Sequence, residues 1–187
     1  MKKWFLVLAM VLLVAGCGEK NSEGEGANTT PIADSKDTAS EAGKNTDKPA
    51  EPKGYVFESN GVKVGVDMEA AAIVAALGEP NSYFEAPSCA FDGLDKTYNY
   101  GSFEISTYEQ DGKDYITSVV FCDDLIETPE GVSLYETKAD MVKAYGEGYV
   151  EEYGMLVYAK DGMKLMFLLK EDEITSIQYA STVLEGQ

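Results

Sequence analysis

The chain contains no histidine and no arginine, and these two absences narrow its chemistry. Histidine is the usual general base near neutral pH and the commonest metal ligand, and arginine supplies the planar fork that grips carboxylates and phosphates. All 15 basic residues are lysines, against 33 acidic residues, so the formal net charge is −18. Because cations on phosphates supply most of the affinity for nucleic acid, this balance argues against a nucleic-acid partner.

The chain also lacks an apolar run long enough to cross a membrane. Its longest run covers residues 4–14, behind two lysines, whereas a spanning helix needs about 20 apolar residues. A positive start, a short apolar region and small residues after it are typical of a secretory signal. Residues 1–16 are therefore predicted to be a signal peptide that is removed.

The end of this signal resembles the lipobox of bacterial lipoproteins in the sequence Val14-Ala15-Gly16-Cys17. Small residues let a peptidase approach the backbone, and the thiol accepts a diacylglyceryl group as a thioether. The resemblance implies that Cys17 is lipidated and anchors the chain outside the cytoplasm, at the cell membrane or at an outer membrane where one exists. An ordinary cleaved signal with an incidental cysteine remains the alternative.

Composition divides the rest of the chain into a tether and a folded domain. Residues 17–53 contain Gly, Ser, Thr, Asn, Pro and charged residues with almost no large apolar side chain. Such a segment cannot bury enough surface to offset its ordering entropy and is predicted to be disordered. Apolar and aromatic residues become dense in residues 54–187, which are predicted to fold as one domain.

An internal repeat is the main prediction for this domain. Repeat one covers about 61–123 and repeat two about 131–182. Matching segments are 61–67 with 131–137, 73–79 with 141–147, and 116–121 with 174–179. Each repeat is predicted to be a helix followed by a three-stranded antiparallel meander. The resulting fold class is α+β, with one extended sheet or two adjacent sheets and the helices on one face.

The predicted meanders follow from β-branched and aromatic runs separated by Asp-Gly turns. The turns are Asp111-Gly112 and Asp161-Gly162. The predicted strands are 97–100, 103–108 and 116–121 in repeat one, and 155–158, 164–169 and 174–179 in repeat two.

Repeat one is longer than repeat two between its helix and its strands, and the extra segment lies within Pro80–Asp95. Apolar residues on an inserted loop suggest a binding feature, since loops often carry function. Tyrosine, with 12 copies, is enriched where proteins meet. The predicted binding surface consists of Tyr83, Phe84, Phe91, Tyr98 and Tyr100. The alternative is that these aromatics plug the core or lie half-buried under the helices.

Two cysteines remain in the predicted domain, Cys89 and Cys122. An extracytoplasmic setting permits a disulfide between them, and two separate thiols are the alternative. A catalytic cysteine is not expected, because no histidine can activate it.

No catalytic residue, cofactor or metal site is predicted. Asp92, Asp95, Asp123 and Asp124 do not form a calcium-loop pattern, and no phosphate-binding loop or nucleophile elbow is present. A carboxylate-dependent hydrolase would need two converging acids, which spacing alone does not identify.

The domain resembles the β-lactamase-inhibitory-protein-like fold group, of which small lipoproteins of the outer-membrane assembly machinery share a one-repeat version. The resemblance rests on the helix exit Leu77-Gly78-Glu79-Pro80, on Tyr145-Gly146 and on the Ile-Thr-Ser strands. It implies that an open sheet face and loops grip a partner protein, and no β-lactamase-binding loop is identified. The chain is also similar to uncharacterised acidic lipoproteins of anaerobic Gram-positive bacteria.

The leading functional hypothesis is a non-enzymatic, membrane-anchored lipoprotein that binds a protein or another component of the cell envelope. A lipoprotein that binds a small ligand or cation is the first alternative, and a carboxylate-dependent hydrolase is the second.

Overall fold

A computed structural model describes residues 51–185, and strands dominate them, with 47% of residues in strands and 12% in helices. In chain order the elements are β1 Phe57–Ser59, β2 Val62–Val64, α1 Ala70–Leu77, β3 Ser82–Pro87, β4 Leu94–Asn99, β5 Phe103–Gln110, β6 Lys113–Phe121, α2 Lys138–Tyr145, β7 Val150–Glu152, β8 Met155–Lys160, β9 Met163–Lys170 and β10 Glu173–Ser181. The described part of the chain is thus mostly β.

Eight of these strands form one antiparallel sheet in the order β3-β4-β5-β6-β10-β9-β8-β7. Its centre is the pairing of β6 with β10, where Val119 lies opposite Tyr179. Strands β1 and β2 form a separate antiparallel pair. The edges of the large sheet are β3 and β7.

The predicted α+β fold of two repeats, each a helix with a three-stranded meander, is wrong. Four strands follow each helix, all eight belong to one sheet, and the two helices have eight residues each. The prediction missed β3 because five of its six residues are exposed, which leaves no alternation of apolar and polar positions to read. It missed β7 because that strand has three residues, two of them Glu.

The core lies on one face of the large sheet. A row of side chains crosses six strands in register on this covered face: Tyr98, Ile105, Val119, Tyr179, Leu165 and Tyr158. Val132 and Leu134 and the buried helix residues Ala70, Ile73 and Met141 belong to the same apolar cluster. The helices therefore supply only part of the cover.

Phe57 of β1 completes the cover over the middle of the sheet. Its side chain is 0% exposed. Its ring meets those of Phe103 and Phe121 edge-on, with centroid distances of 4.9 and 5.3 Å. Edge-to-face packing of this kind adds to the free energy gained by burying the ring.

Asp67 ties three strands together just before α1. Its Oδ1 accepts hydrogen bonds from the hydroxyls of Tyr108 on β5, at 3.1 Å, and Ser181 on β10, at 2.6 Å. Its backbone N–H donates to the carbonyl of Ile116 on β6, at 2.8 Å. Asp67 holds a φ of 60° to do so, a conformation that Asp tolerates better than most residues.

The second helix begins with a capping box. Thr137 accepts a hydrogen bond from the backbone N–H of Asp140, whose carboxylate accepts one from the N–H of Thr137. The helix ends at Gly146, which has a φ of 82°. Glycine adopts that conformation without a steric penalty.

Several predictions concern residues outside the described part of the chain. They are the signal peptide of residues 1–16, the lipobox Val14-Ala15-Gly16, the lipidation of Cys17, and the tether up to residue 50. Between residues 51 and 185, neither helix has the length or the apolar character needed to cross a membrane.

Candidate functional site

The residues of the predicted binding surface lie at the β3 end of the large sheet. Tyr83 and Phe84 belong to β3, Tyr98 belongs to β4, Tyr100 follows β4, and Phe91 lies in the turn between the two strands. Pro80–Asp95 is thus not an inserted loop, because most of it forms the edge strand β3 and its turn.

Tyr83 and Phe84 are the exposed members of this set, with 48% and 65% of their surface accessible. As neighbours on one strand they point to opposite faces of the sheet. Tyr83 lies beside Tyr98 on the covered face, with ring centroids 5.0 Å apart. Its hydroxyl donates a hydrogen bond to the Glu85 carboxylate, which raises the pKa of Tyr83.

Tyr98, Tyr100 and Phe91 pack inward instead. Tyr98 is half-buried against the core, and burial raises its pKa. Tyr100 stacks on Phe103 at 5.0 Å, and its hydroxyl is buried without a hydrogen-bond partner in residues 51–185. The ring of Phe91 meets Tyr108 edge-on at 6.3 Å. Of the predicted binding surface, Tyr83 and Phe84 are therefore the residues whose side chains remain exposed.

The backbone of β3 is open on its outer side. Within residues 51–185 β3 has β4 as its one neighbour in the sheet. The N–H of Ser88 donates to the carbonyl of Gly93, in the same register as the β3–β4 ladder. Hydrogen-bonded pairs recur at every second residue of an antiparallel ladder. Ser82, Phe84 and Ala86 therefore bond to β4, and the N–H and C=O groups of the intervening residues face outward.

These outward groups belong to Tyr83 and Glu85. Pro87, the next residue in the same phase, has a carbonyl but no N–H. A row of unpaired backbone groups is a template for another strand. These outward backbone groups, together with the side chains of Tyr83, Phe84 and Glu85, form the free edge of β3.

The opposite edge of the sheet differs in length and character. Strand β7 has three residues, Val150–Glu152, against six in β3. Two of the three are acidic, and Glu152 forms an ion pair with Lys164 at 2.7 Å. Short, charged edge strands are a common protection against pairing with other chains. The free edge of β3 is the longer and more apolar of the two.

The charge near the free edge of β3 is negative. Glu85 lies on the strand itself, and Asp95 lies opposite Ala86 on the neighbouring strand and is exposed. Lys96 is the one lysine in β3, β4 and β5. Its ammonium group contacts both carboxylate oxygens of Asp114, at 2.9 and 2.7 Å, and this hydrogen bonding raises the pKa of Lys96. Its charge is thus already compensated.

The two cysteines are both free and exposed. Cys89 lies in the β3–β4 turn, and Cys122 directly follows β6. The backbone N–H of Cys122 donates a hydrogen bond to the backbone carbonyl of Ser102. Because neighbouring strands are antiparallel, the β3–β4 turn and the end of β6 lie at opposite ends of the strands. The two cysteines are therefore separated by about the length of β5, which has eight residues at about 3.3 Å each. A disulfide needs Cα atoms within about 7 Å, so the bridge considered for these cysteines does not form within one molecule of this structure.

No group of three or more Cys, Asp or Glu side chains converges as a metal site within residues 51–185. An open depression of about 580 Å³ is lined by Glu152, Tyr153, Lys164 and Glu185. Lys164 pairs there with both Glu152, at 2.7 Å, and Glu185, at 3.0 Å. The charged side chains that line the depression thus form ion pairs with one another.

Sequence reasoning missed Glu85, Asp95 and the outward backbone of β3. The sequence nevertheless contains a pattern that predicts this strand. Pro80 and Pro87 bracket a six-residue segment that contains adjacent Tyr and Phe. Aromatic residues between turn-forming residues are typical of a short strand, and proline at its end fits an edge position.

Comparison of this chain with protein-family models, with curated proteins and with solved structures finds no match.

Proposed function

We propose that this chain is a non-enzymatic, lipid-anchored extracytoplasmic protein that binds a partner protein of the cell envelope along the free edge of β3. One observation carries the proposal: the sheet ends in a six-residue strand with outward backbone groups and two adjacent exposed aromatic side chains. The anchoring part of the proposal comes from the lipobox sequence that ends at Cys17.

The physical basis is strand addition. An extended segment that lies beside an open sheet edge gains backbone hydrogen bonds, while side chains at alternate positions give specificity. Tyr83 on one face and Phe84 on the other offer such a segment apolar contacts on both of its sides. Aromatic residues carry a large share of the binding energy at protein interfaces.

The opposite edge provides a matched control for a test. Tyr153 follows β7 and is fully exposed. It therefore resembles Phe84 in being an exposed aromatic residue, but it lies at the opposite edge of the sheet.

The experiment places a photo-crosslinking amino acid at position 84 or 153 of the full chain, in the cells that produce it. Position 84 is expected to yield a discrete crosslinked protein in the membrane fraction, and position 153 is expected to yield little. A chain with Cys17→Ser should leave the membrane fraction. Equal crosslinking at both positions, or none at position 84, would refute the proposed binding edge.

A further inference from the structure

We infer that the partner presents an extended, lysine- or arginine-bearing segment that joins the sheet as a ninth strand beside β3. This inference rests on the proposed function, because it names the chemistry of the partner at the same edge. Two properties of the edge carry it: the spacing of its outward backbone groups and the sign of its charge.

The spacing specifies an extended backbone. The N–H and C=O groups of Tyr83 and Glu85 face outward at a two-residue interval, which is the interval at which a neighbouring strand offers its own groups. A helix satisfies its backbone groups internally and offers none in this pattern. The occupant is thus a strand or a segment that becomes one on binding.

The charge specifies cations on both faces of that strand. Glu85 points to the covered face, beside the position that an incoming strand would occupy. Asp95 lies on the open face behind the small side chain of Ala86, about 10 Å from the incoming strand at two strand spacings. A lysine or arginine side chain that extends over Ala86 has the length to approach Asp95.

Repulsion does not oppose such a segment. The one lysine of β3, β4 and β5 is Lys96, which already pairs with Asp114 at 2.7 Å. The chain as a whole carries a formal charge of −18. A cationic segment therefore meets an attractive field at long range. Near the edge it meets Glu85 and Asp95, while Lys96, which lies opposite Glu85 in the register, forms its ion pair with Asp114.

The same charges disfavour a second copy of this chain as the occupant. Pairing of two β3 strands would bring another Glu85 and another Asp95 to the edge. Like charges on directly opposed strands are destabilising, and both molecules carry the same large negative charge.

In the test, the full chain is kept in detergent and is used to select binding peptides from a displayed library of random nine-residue sequences. Selected peptides are expected to carry a net positive charge, with Lys or Arg alternating with β-branched or aromatic residues. Selection of neutral or acidic peptides, or of none, would overturn the inference. A concentration-dependent dimer of the chain that blocks peptide binding would assign the edge to a second copy instead.

Two variants separate the backbone from the charge. Glu85→Pro and Glu85→Ala remove the same carboxylate, but only proline removes the outward N–H. Proline at this phase leaves the bonds between β3 and β4 intact. Selected peptides should bind Glu85→Pro at least about tenfold more weakly than Glu85→Ala, since the proline variant loses a hydrogen bond and its ring obstructs the incoming strand. Equal affinities for the two variants would exclude strand addition.

Hydrogen exchange on the unmodified chain keeps the test valid if Glu85→Pro does not fold. A selected peptide should slow amide exchange at Tyr83 and Glu85, whose N–H groups face outward, and change little at Phe84 and Ala86, which already bond to β4. Uniform or absent protection along β3 would contradict the inference. If position 84 still crosslinks a protein in cells in that case, binding of a partner protein at this edge stands, and strand addition as its mode is refuted.

Discussion

Replacement of Phe57 by alanine is a severe test of the claim that β1 covers the middle of the sheet. Phe57 is 0% exposed and packs against Phe103, Phe121 and Tyr179, with ring centroids 4.9, 5.3 and 6.2 Å away. Truncation of a core phenylalanine to alanine costs about 3–5 kcal/mol. Because edge-to-face pairs add about 0.5–1.5 kcal/mol each, we expect Phe57→Ala to lower the free energy of unfolding by about 4–5 kcal/mol.

The reason for this large effect is the small contribution of the helices. Ala70, Ile73 and Met141 are the buried residues that the two helices supply. Segments outside the helices must therefore exclude much of the water from the sheet, and Phe57 is the residue of β1 that does so. A domain of ordinary stability, about 5–15 kcal/mol, would lose roughly a quarter of it or more with one side chain. Phe57→Leu, which keeps most of the volume, should cost about 1.5 kcal/mol.

Urea denaturation followed by tyrosine fluorescence measures these differences. Leu125→Ala is the matched control, because Leu125 is 81% exposed and surface truncations usually change stability by less than about 0.5 kcal/mol. A loss below about 1.5 kcal/mol for Phe57→Ala, with an unchanged slope, would refute the role assigned to β1 in covering the sheet.

Four further results are expected. Asp67→Ala should lower the free energy of unfolding by about 1–2 kcal/mol in urea titration, because two hydroxyls lose a charged acceptor, and Asp67→Asn should lose less. Thr137→Ala should cost about 1 kcal/mol through loss of the helix cap, and unchanged amide exchange in the following helix would contradict this. Burial raises the pKa of Tyr158 to about 12, above the value of about 10 for an unfolded tyrosine. The neutral Tyr158 side chain therefore stabilises the fold fully below about pH 10, and this stabilisation is lost as the pH rises from about 10 through about 12. A spectroscopic titration of the phenolate measures this pKa. Cys89 and Cys122 should both react with a thiol reagent in the folded, non-reduced protein, more slowly at Cys122 because burial raises its pKa, and a missing thiol would reveal a disulfide.

Local pattern was sufficient for the elements that bury one face. Strands β5, β6, β9 and β10 alternate between buried and more exposed residues over much of their length, and apolar residues recur at those buried positions. Helix ends at Gly78 and Gly146 also follow from local chemistry, because each glycine holds a positive φ. These signals act within a few residues and can be read from the chain directly.

The fold class could not be read in the same way. The pairing of β6 with β10 joins residues far apart in the sequence, and no local pattern specifies which strands meet. Strand β3 was missed because an edge strand with little burial has no alternation to detect. The exposed pair Tyr83 and Phe84 was predicted as a binding feature from residue type alone. Its setting on an open edge follows only from the sheet order.

The central claim is that a partner engages the outward backbone of β3. Its most direct test is photo-crosslinking from position 84 in cells, compared between chains that carry Glu85→Pro and Glu85→Ala. We expect the crosslinked partner to disappear with proline and to persist, in reduced yield, with alanine. Equal yields from the two chains would show that the partner does not use the backbone of this edge.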